Sequence, residues 1–205
     1  MLNSELRGQV DKVWKAFWSG GMTNPLEVIE QITYLLFLKR LDDLQVLADN
    51  KNIRLKKPFE QKIFPSGKDD KNCKYEDMRW SRLKNMTPEK TFKILSENVF
   101  PFLQNLGGDG STYSKHMKGA RFTINAPRLL TKAIDLLDQI PMEDRDTKGD
   151  LYEYMLSKLQ SAGQNGQFRT PRHIIRLMVE LTGPTSKDTI CDPASGTCGF
   201  LINAS

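Results

Sequence analysis

The 205-residue chain is poor in metal-binding and redox side chains, with only three cysteines (Cys73, Cys191, Cys198) and two histidines (His116, His173). No two cysteines stand at CxxC spacing, so neither a metal centre nor a disulfide framework is expected, and the thiols read as reduced. Long apolar runs are also missing. The longest, Tyr34 to Leu38, falls far short of the ~20 residues that cross a bilayer. The first residues mix both charges ahead of an amphipathic pattern, unlike a secretory leader. A cytoplasmic protein without membrane segments is the expectation. Two phosphate-binding signatures are absent as well: no Lys-Ser/Thr pair follows a glycine loop, and no G-x-G-x-x-G occurs. No internal repeat is found.

What is present is a mostly helical pattern on an ordinary globular composition, 39% hydrophobic, with a formal charge of +5 and a pI near 9.0. That charge fits a polyanion partner without requiring one. Leu6, Val10, Val13, Trp14 and Phe17 recur at helical spacing until Gly20-Gly21 stops them. Asn24 as cap, Pro25 in the first turn and Glu27 open a second helix, expected to run to about Ala48. Its stripe is Val28, Ile32, Leu35, Leu36, Leu41, Leu44 and Leu47, wide enough for the centre of a bundle.

From Asp49 to Pro88 the pattern breaks into a segment in which eight basic residues, from Lys51 to Lys74, mix with Pro58, Pro65 and Gly67. It reads as a mobile loop, either contacting phosphate or merely solvated, with Met78 and Trp80 anchoring its end in the core. Thr87-Pro88 starts a further helix that Pro101 is expected to bend or end. Residues 107–111 read as a flexible loop. Asn125-Ala126-Pro127 opens a helix carrying Leu129, Leu130, Ile134, Leu137 and Ile140. Residues 142–148 read as a charged link, and residues 150–159 as a short helix with Leu151, Tyr154, Met155 and Leu159 on one side.

The last forty residues hold the sharpest chemistry. Thr189, Ile190 and Cys191 have the composition of a strand that ends at Asp192, and the carboxyl edge of a strand is where ligands collect in open α/β sheets. Gly196 and Gly199 allow a tight turn and a close backbone approach before a helix opening at Gly199. Upstream, Thr170 is expected to cap a helix with Pro171 in its first turn and Ile174, Ile175, Leu177, Met178 and Leu181 along it. A helix N-terminus attracts a carboxylate; a plain capped surface helix explains the same residues. His173 is read as structural.

The run Asp192-Pro193-Ala194-Ser195-Gly196-Thr197-Cys198-Gly199-Phe200, preceded by Gly166-Gln167-Phe168-Arg169-Thr170-Pro171-Arg172 and Gly149-Asp150-Leu151-Tyr152-Glu153-Tyr154, resembles the modification (methyltransferase) subunit of type I restriction-modification systems. The resemblance covers nearly the whole chain. It implies a mainly α protein: a helical N-terminal domain over residues 1–145, then at 146–205 the truncated start of an α/β Rossmann-like methyltransferase domain that uses S-adenosylmethionine. The implied cofactor residues are Gln167, Phe168, Arg169, Thr170, Pro171, Arg172, Asp192, Pro193, Ser195, Gly196, Thr197 and Gly199. The implied reaction is methyl transfer to adenine N6 in double-stranded DNA, with a specificity subunit and a restriction subunit as partners.

This sequence departs from the commoner form of the glycine motif. Ser195 stands where cysteine is usual, and Cys198 where glycine is, a replacement that costs about 1 kcal/mol if φ is positive there. The family's catalytic Asn/Asp-Pro-Pro-Tyr/Phe has no counterpart, because the chain contains no Pro-Pro; its Asn24-Pro25 is explained by a helix start. No catalytic residue is therefore expected, and the chain reads as an N-terminal fragment inactive by itself. The alternative is a non-catalytic helical adaptor binding DNA or partner subunits.

Overall fold

In the computed structural model, residues 4–55, 62–108, 110–141, 145–161, 170–195 and 198–205 are described. They form two compact units, residues 1–164 and 165–205. The first is built from α1 (Ser4–Ser19), α2 (Pro25–Leu55), a 3-10 turn (Tyr75–Met78), α3 (Trp80–Leu83), α4 (Pro88–Ile94), a π-helical turn (Leu95–Val99), α5 (Phe100–Asn105), α6 (Thr112–Met117), α7 (Pro127–Asp138) and α8 (Arg145–Ser161). The second holds α9 (Arg172–Thr182) and α10 (Gly199–Asn203).

The long helix α2 starts as its sequence requires. The Asn24 Oδ1 accepts the Leu26 N–H at 3.1 Å, so the cap takes up one of the helix's orphan donors. Its apolar stripe is buried from Val28 to Leu41 and forms the centre of the core, against Val10, Val13 and Phe17 of α1 and Leu130, Ile134 and Leu137 of α7. Leu44 and Leu47 are exposed, contrary to the expected stripe. Beyond Leu41 the buried positions turn polar, and each has a partner. Asp42 accepts the Arg79 Nε at 2.5 Å and the Ser81 N–H at 2.8 Å, while the Gln45 Oε1 accepts the Ile63 N–H at 2.7 Å. The helix therefore runs seven residues past the expected end at Ala48, held by polar contacts.

Those contacts also correct the view of residues 62–74 as a detached loop. Phe64 is buried and stacks on Phe102, and the Asp69 Oδ1 accepts the Lys71 and Cys73 N–H groups. Met78 and Trp80 are buried as expected. Lys62, Lys68, Lys71 and Lys74 are exposed, whereas Lys56 and Lys57 lie outside the described residues.

Pro101 does not end its helix. Proline removes one N–H and its ring crowds the carbonyl four residues back; a π-helical turn at Leu95–Val99, in which the Phe100 N–H reaches the Leu95 carbonyl, precedes it and the chain continues as α5. The short helix α6, not anticipated, starts at Ser111, whose Oγ accepts the Ser114 N–H at 3.0 Å. At the end of α7, Lys39 of α2 donates to the Leu137, Asp138 and Ile140 carbonyls at 3.1, 3.0 and 2.7 Å; the Leu137 carbonyl also accepts the Ile140 N–H, so the ammonium chiefly serves the other two.

The expected charged link is partly helical, since α8 begins at Arg145. Its Leu151, Met155 and Leu159 are buried in the core shared with α1 and α2. At its edge the Tyr154 hydroxyl donates to the Asp11 carboxylate at 2.9 Å, and Lys158 pairs with Asp11 at 2.6 Å while lying over the Tyr154 ring. By packing, α8 belongs to the first unit.

Candidate cofactor-binding loop

The second unit holds both motifs singled out in the sequence. Helix α9 begins one residue later than expected, with Pro171 rather than Thr170 at the cap position. Proline has no side-chain acceptor, and no side chain caps this end; the Pro171 carbonyl instead accepts the Ile174 and Ile175 N–H groups at 2.9 and 3.0 Å. At the other end Gly183 adopts the left-handed conformation, φ +55°, and closes the helix on the Val179 carbonyl. Along α9, Ile175 is buried, while Ile174, Leu177, Met178 and Leu181 are exposed.

The strand expected at residues 189–191 is not formed. A strand exists only by pairing, and among the described residues the one bridge joins Lys68 to Lys74 in the other unit. The acid that ends the segment nevertheless shapes the loop. The Asp192 Oδ1 accepts the Ala194 N–H at 3.0 Å across Pro193, a side-chain turn that reverses the chain. The Ser195 carbonyl then accepts the Cys198 N–H at 2.6 Å.

Cys198 stands in the left-handed region, φ +60° and ψ +29°, the conformation for which glycine is the usual residue. Gly199 follows at the start of α10. A Cβ placed there would lie 2.9 Å from the Ile175 Cδ1, so Gly199 packs directly against the side-chain tip of Ile175 on α9. Sequence reasoning saw Ile175 only as one of several apolar residues; its pairing with Gly199 had no sequence signal.

Of the expected cofactor residues, Thr170, Pro171, Arg172, Asp192, Pro193, Ser195 and Gly199 lie in this unit, where Gly199 packs against Ile175 of α9, the helix that begins just after Thr170 and Pro171. Gln167, Phe168, Arg169, Gly196 and Thr197 lie outside the described residues. Asp188, just upstream, is bound to the Thr185 N–H and hydroxyl, both at 2.8 Å, and these bonds hold its carboxyl below the ordinary aspartate value. No group of His, Cys, Asp and Glu suited to a metal occurs among the described residues, and no helix there is long and apolar enough to cross a membrane.

Family comparison decides what this pairing of a helical unit with a glycine loop is. The model of the HsdM N-terminal domain matches residues 6–137, more than half of the chain. The chain belongs to this family. A second model, N-6 DNA methylase, matches residues 143–205. The HsdM relatives include the EcoEI type I methylase subunit of Escherichia coli, 29% identical over 90% of this chain and 37% of its own length. Another is the StySPI type I methylase subunit of Salmonella potsdam, 30% identical over 100% of this chain and 35% of its own length. This chain thus spans little more than a third of the curated relatives it matches. In fold, it is similar to a modification subunit assigned to a type I restriction enzyme from Vibrio vulnificus YJ016, with a TM-score of 0.67 at 24% identity, covering 100% of this chain and 46% of that one. A chain from a type I restriction-modification assembly gives a TM-score of 0.60 at 25% identity, covering 96% of this chain and 40% of that one.

Proposed function

We propose that this chain supplies the helical domain and the opening of the cofactor site of a type I modification subunit, which methylates adenine N6 in double-stranded DNA using S-adenosylmethionine. The boundary between the two functional parts falls at 145/146, with α8 as lead-in to the second. The observation that carries the reading is the closure of the glycine loop on α9 through Gly199 and Ile175, within the span that matches the DNA-methylase model.

The residues present fit the cofactor. The uncapped N-terminus of α9, at Thr170, Pro171 and Arg172, offers a partial positive charge to the methionine carboxylate. The loop from Asp192 through Pro193, Ser195 and Gly199 supplies a tight turn along which a ligand can lie close to the backbone. Gln167, Phe168, Arg169, Gly196 and Thr197 complete the set by family resemblance. The bound cofactor would supply an electrophilic methyl group on sulfur. Moving that group to adenine requires the base to be turned out of the duplex and held by its polar edge, a task for the Asn/Asp-Pro-Pro-Tyr/Phe motif, and no Pro-Pro occurs in these residues. The chain alone therefore binds cofactor without transferring methyl.

The test is calorimetry with S-adenosylhomocysteine. Saturable binding that Asp192→Ala weakens by about tenfold, equivalent to 1.4 kcal/mol, supports the cofactor reading; binding unaffected by the substitution would overturn the assignment of this loop. Methyl incorporation into DNA by the 205-residue chain alone would refute its inactivity. A second reading, a helical adaptor for DNA or for the specificity and restriction subunits, draws on the closed core of residues 1–164. It predicts full partner binding by Asp192→Ala.

A further inference from the structure

Residues 67–75 fold back on themselves as a short hairpin. The Asp69 N–H donates to the Cys73 carbonyl at 2.8 Å and the Tyr75 N–H to the Gly67 carbonyl at 3.3 Å, and between these two bonds Lys68 and Lys74 stand directly opposite each other as an antiparallel pair. In a pair of this kind the Cα atoms lie only ~4.5 Å apart and both side chains leave on the same face. The tip is fixed through the adjoining residues. The Asp69 carboxylate accepts the Lys71 and Cys73 N–H groups and, at 2.6 Å, the Asn98 Nδ2, while the Lys71 Nζ donates to the Glu97 carbonyl at 2.8 Å. The hairpin is thereby tied to the π-helical turn by residues other than the facing lysines.

Like charges directly opposite each other on paired strands repel, and here no acid of the chain pairs with either. The Lys68 Nζ donates to the Asn72 Oδ1 at 2.7 Å, a neutral partner held at φ +65°. The Lys74 ammonium forms no hydrogen bond or ion pair among the described residues. Both lysines are exposed and border a cleft of about 480 Å³. Two carboxylates share that cleft, and each is met by an arginine: Asp49 by Arg79 at 3.7 Å, Glu76 by Arg82 at 2.6 Å. Arg82 above all, then Arg79 and Lys74, hold the Glu76 carboxyl below its ordinary value, so that one acid is shared among three cations. What remains is a fixed double positive charge facing solvent.

We infer that this hairpin is a contact for the backbone of double-stranded DNA, with Lys68 and Lys74 each reaching one of two neighbouring phosphates. The charge pattern selects the partner: a duplex presents a row of single negative charges, and two ammoniums fixed on one face meet two of them and relieve their mutual repulsion. Contacts of this type position a protein on the duplex and read no base. The inference rests on the reading of the chain as part of a DNA methyltransferase and names where the helical unit meets its substrate.

Fluorescence anisotropy with a labelled mixed-sequence duplex tests it. Between about 50 and 200 mM salt, Lys68→Gln combined with Lys74→Gln should lose about tenfold less affinity than the unmodified chain, the counterion release of two phosphates over a fourfold change in salt. Lys12→Gln with Lys15→Gln, at exposed positions of α1, removes the same charge elsewhere and should stay within about twofold of the unmodified chain. Lys68→Arg with Lys74→Arg should keep the full salt dependence. In NMR titrations the amide signals of residues 66–76 should shift with the duplex and not with inorganic phosphate. Full salt dependence in the first pair, an equal reduction in the Lys12 and Lys15 pair, loss in the arginine pair, or shifts with inorganic phosphate as large as with the duplex would overturn the proposal, as would no duplex binding by the unmodified chain. None of these readouts involves the loop at Asp192, so the cofactor reading stands or falls separately on its S-adenosylhomocysteine titration.

Discussion

A cysteine at φ +60° brings its Cβ close to its own carbonyl, a strain that glycine escapes. Cys198→Gly is therefore expected to stabilise the turn into α10 by up to about 1 kcal/mol, less the extra freedom glycine has when unfolded. Slower hydrogen exchange at the Ile202 N–H, which bonds the Cys198 carbonyl at 2.9 Å, would register it; unchanged or faster exchange would contradict the strain argument. The sequence already marked position 198 as a departure from the usual glycine, so this strain was legible as a condition. Asn98 was not, because an asparagine inside a helical stretch carries no periodic signal until its partner, 29 residues away, is known.

Asp138 gives a pH-dependent counterpart at the same scale. Burial pushes its carboxyl up, but hydrogen bonds from Trp80 and Lys84, at 2.8 and 2.9 Å, outweigh that and hold it below the ordinary aspartate value. A group whose folded value is depressed stabilises fully above its unfolded value of about 3.9. The contribution is lost as pH falls through the lower, folded value. Trp80→Phe removes one donor and should flatten the loss of stability as pH falls below the unfolded value of about 3.9, measured by denaturant unfolding at successively lower pH.

Among the elements, α2 and α7 show what helical periodicity reveals and what it hides. The buried stripe from Val28 to Leu41 and the run from Leu129 to Leu137 follow the 3.6-residue period and were readable as core faces. The further course of α2 was not, since Asp42 and Gln45 are buried by virtue of partners on Arg79, Ser81 and Ile63, and a polar letter in a sequence looks exposed. The strand at residues 189–191 failed for a related reason: apolar composition permits a strand, but only a neighbouring strand makes one. Lys39 is another buried polar group without a sequence signal. Lys39→Met would leave the Asp138 and Ile140 carbonyls at the end of α7 without this donor and is expected to lower stability by about 2–3 kcal/mol, seen as a reduced denaturation midpoint. A change below about 0.5 kcal/mol would mean water replaces the ammonium without loss.

For the whole molecule, the +5 charge and the exposed lysines at 62, 68, 71 and 74 bear on the proposed DNA contact. Binding of the chain to a non-specific duplex should weaken steeply between about 50 and 200 mM salt, with a log–log slope that falls by about 2 when Lys68 and Lys74 are both replaced by Gln. Retention of the full slope would exclude these two residues from the contact. The basic composition was legible from the sequence, but not which lysines stay outside the fold, because Lys39 carries the same charge and is buried.

The anchoring of α8 has a practical consequence for anyone dividing this protein. The seam suggested by family boundaries lies near residue 143, yet Leu151, Met155 and Leu159 cover part of the core shared with α1 and α2. A recombinant helical half ended at 145 would expose that apolar surface to water and invite aggregation in the expression host. Ended at 164, it would carry its own cover, and the remaining piece would keep both halves of the loop that closes on α9.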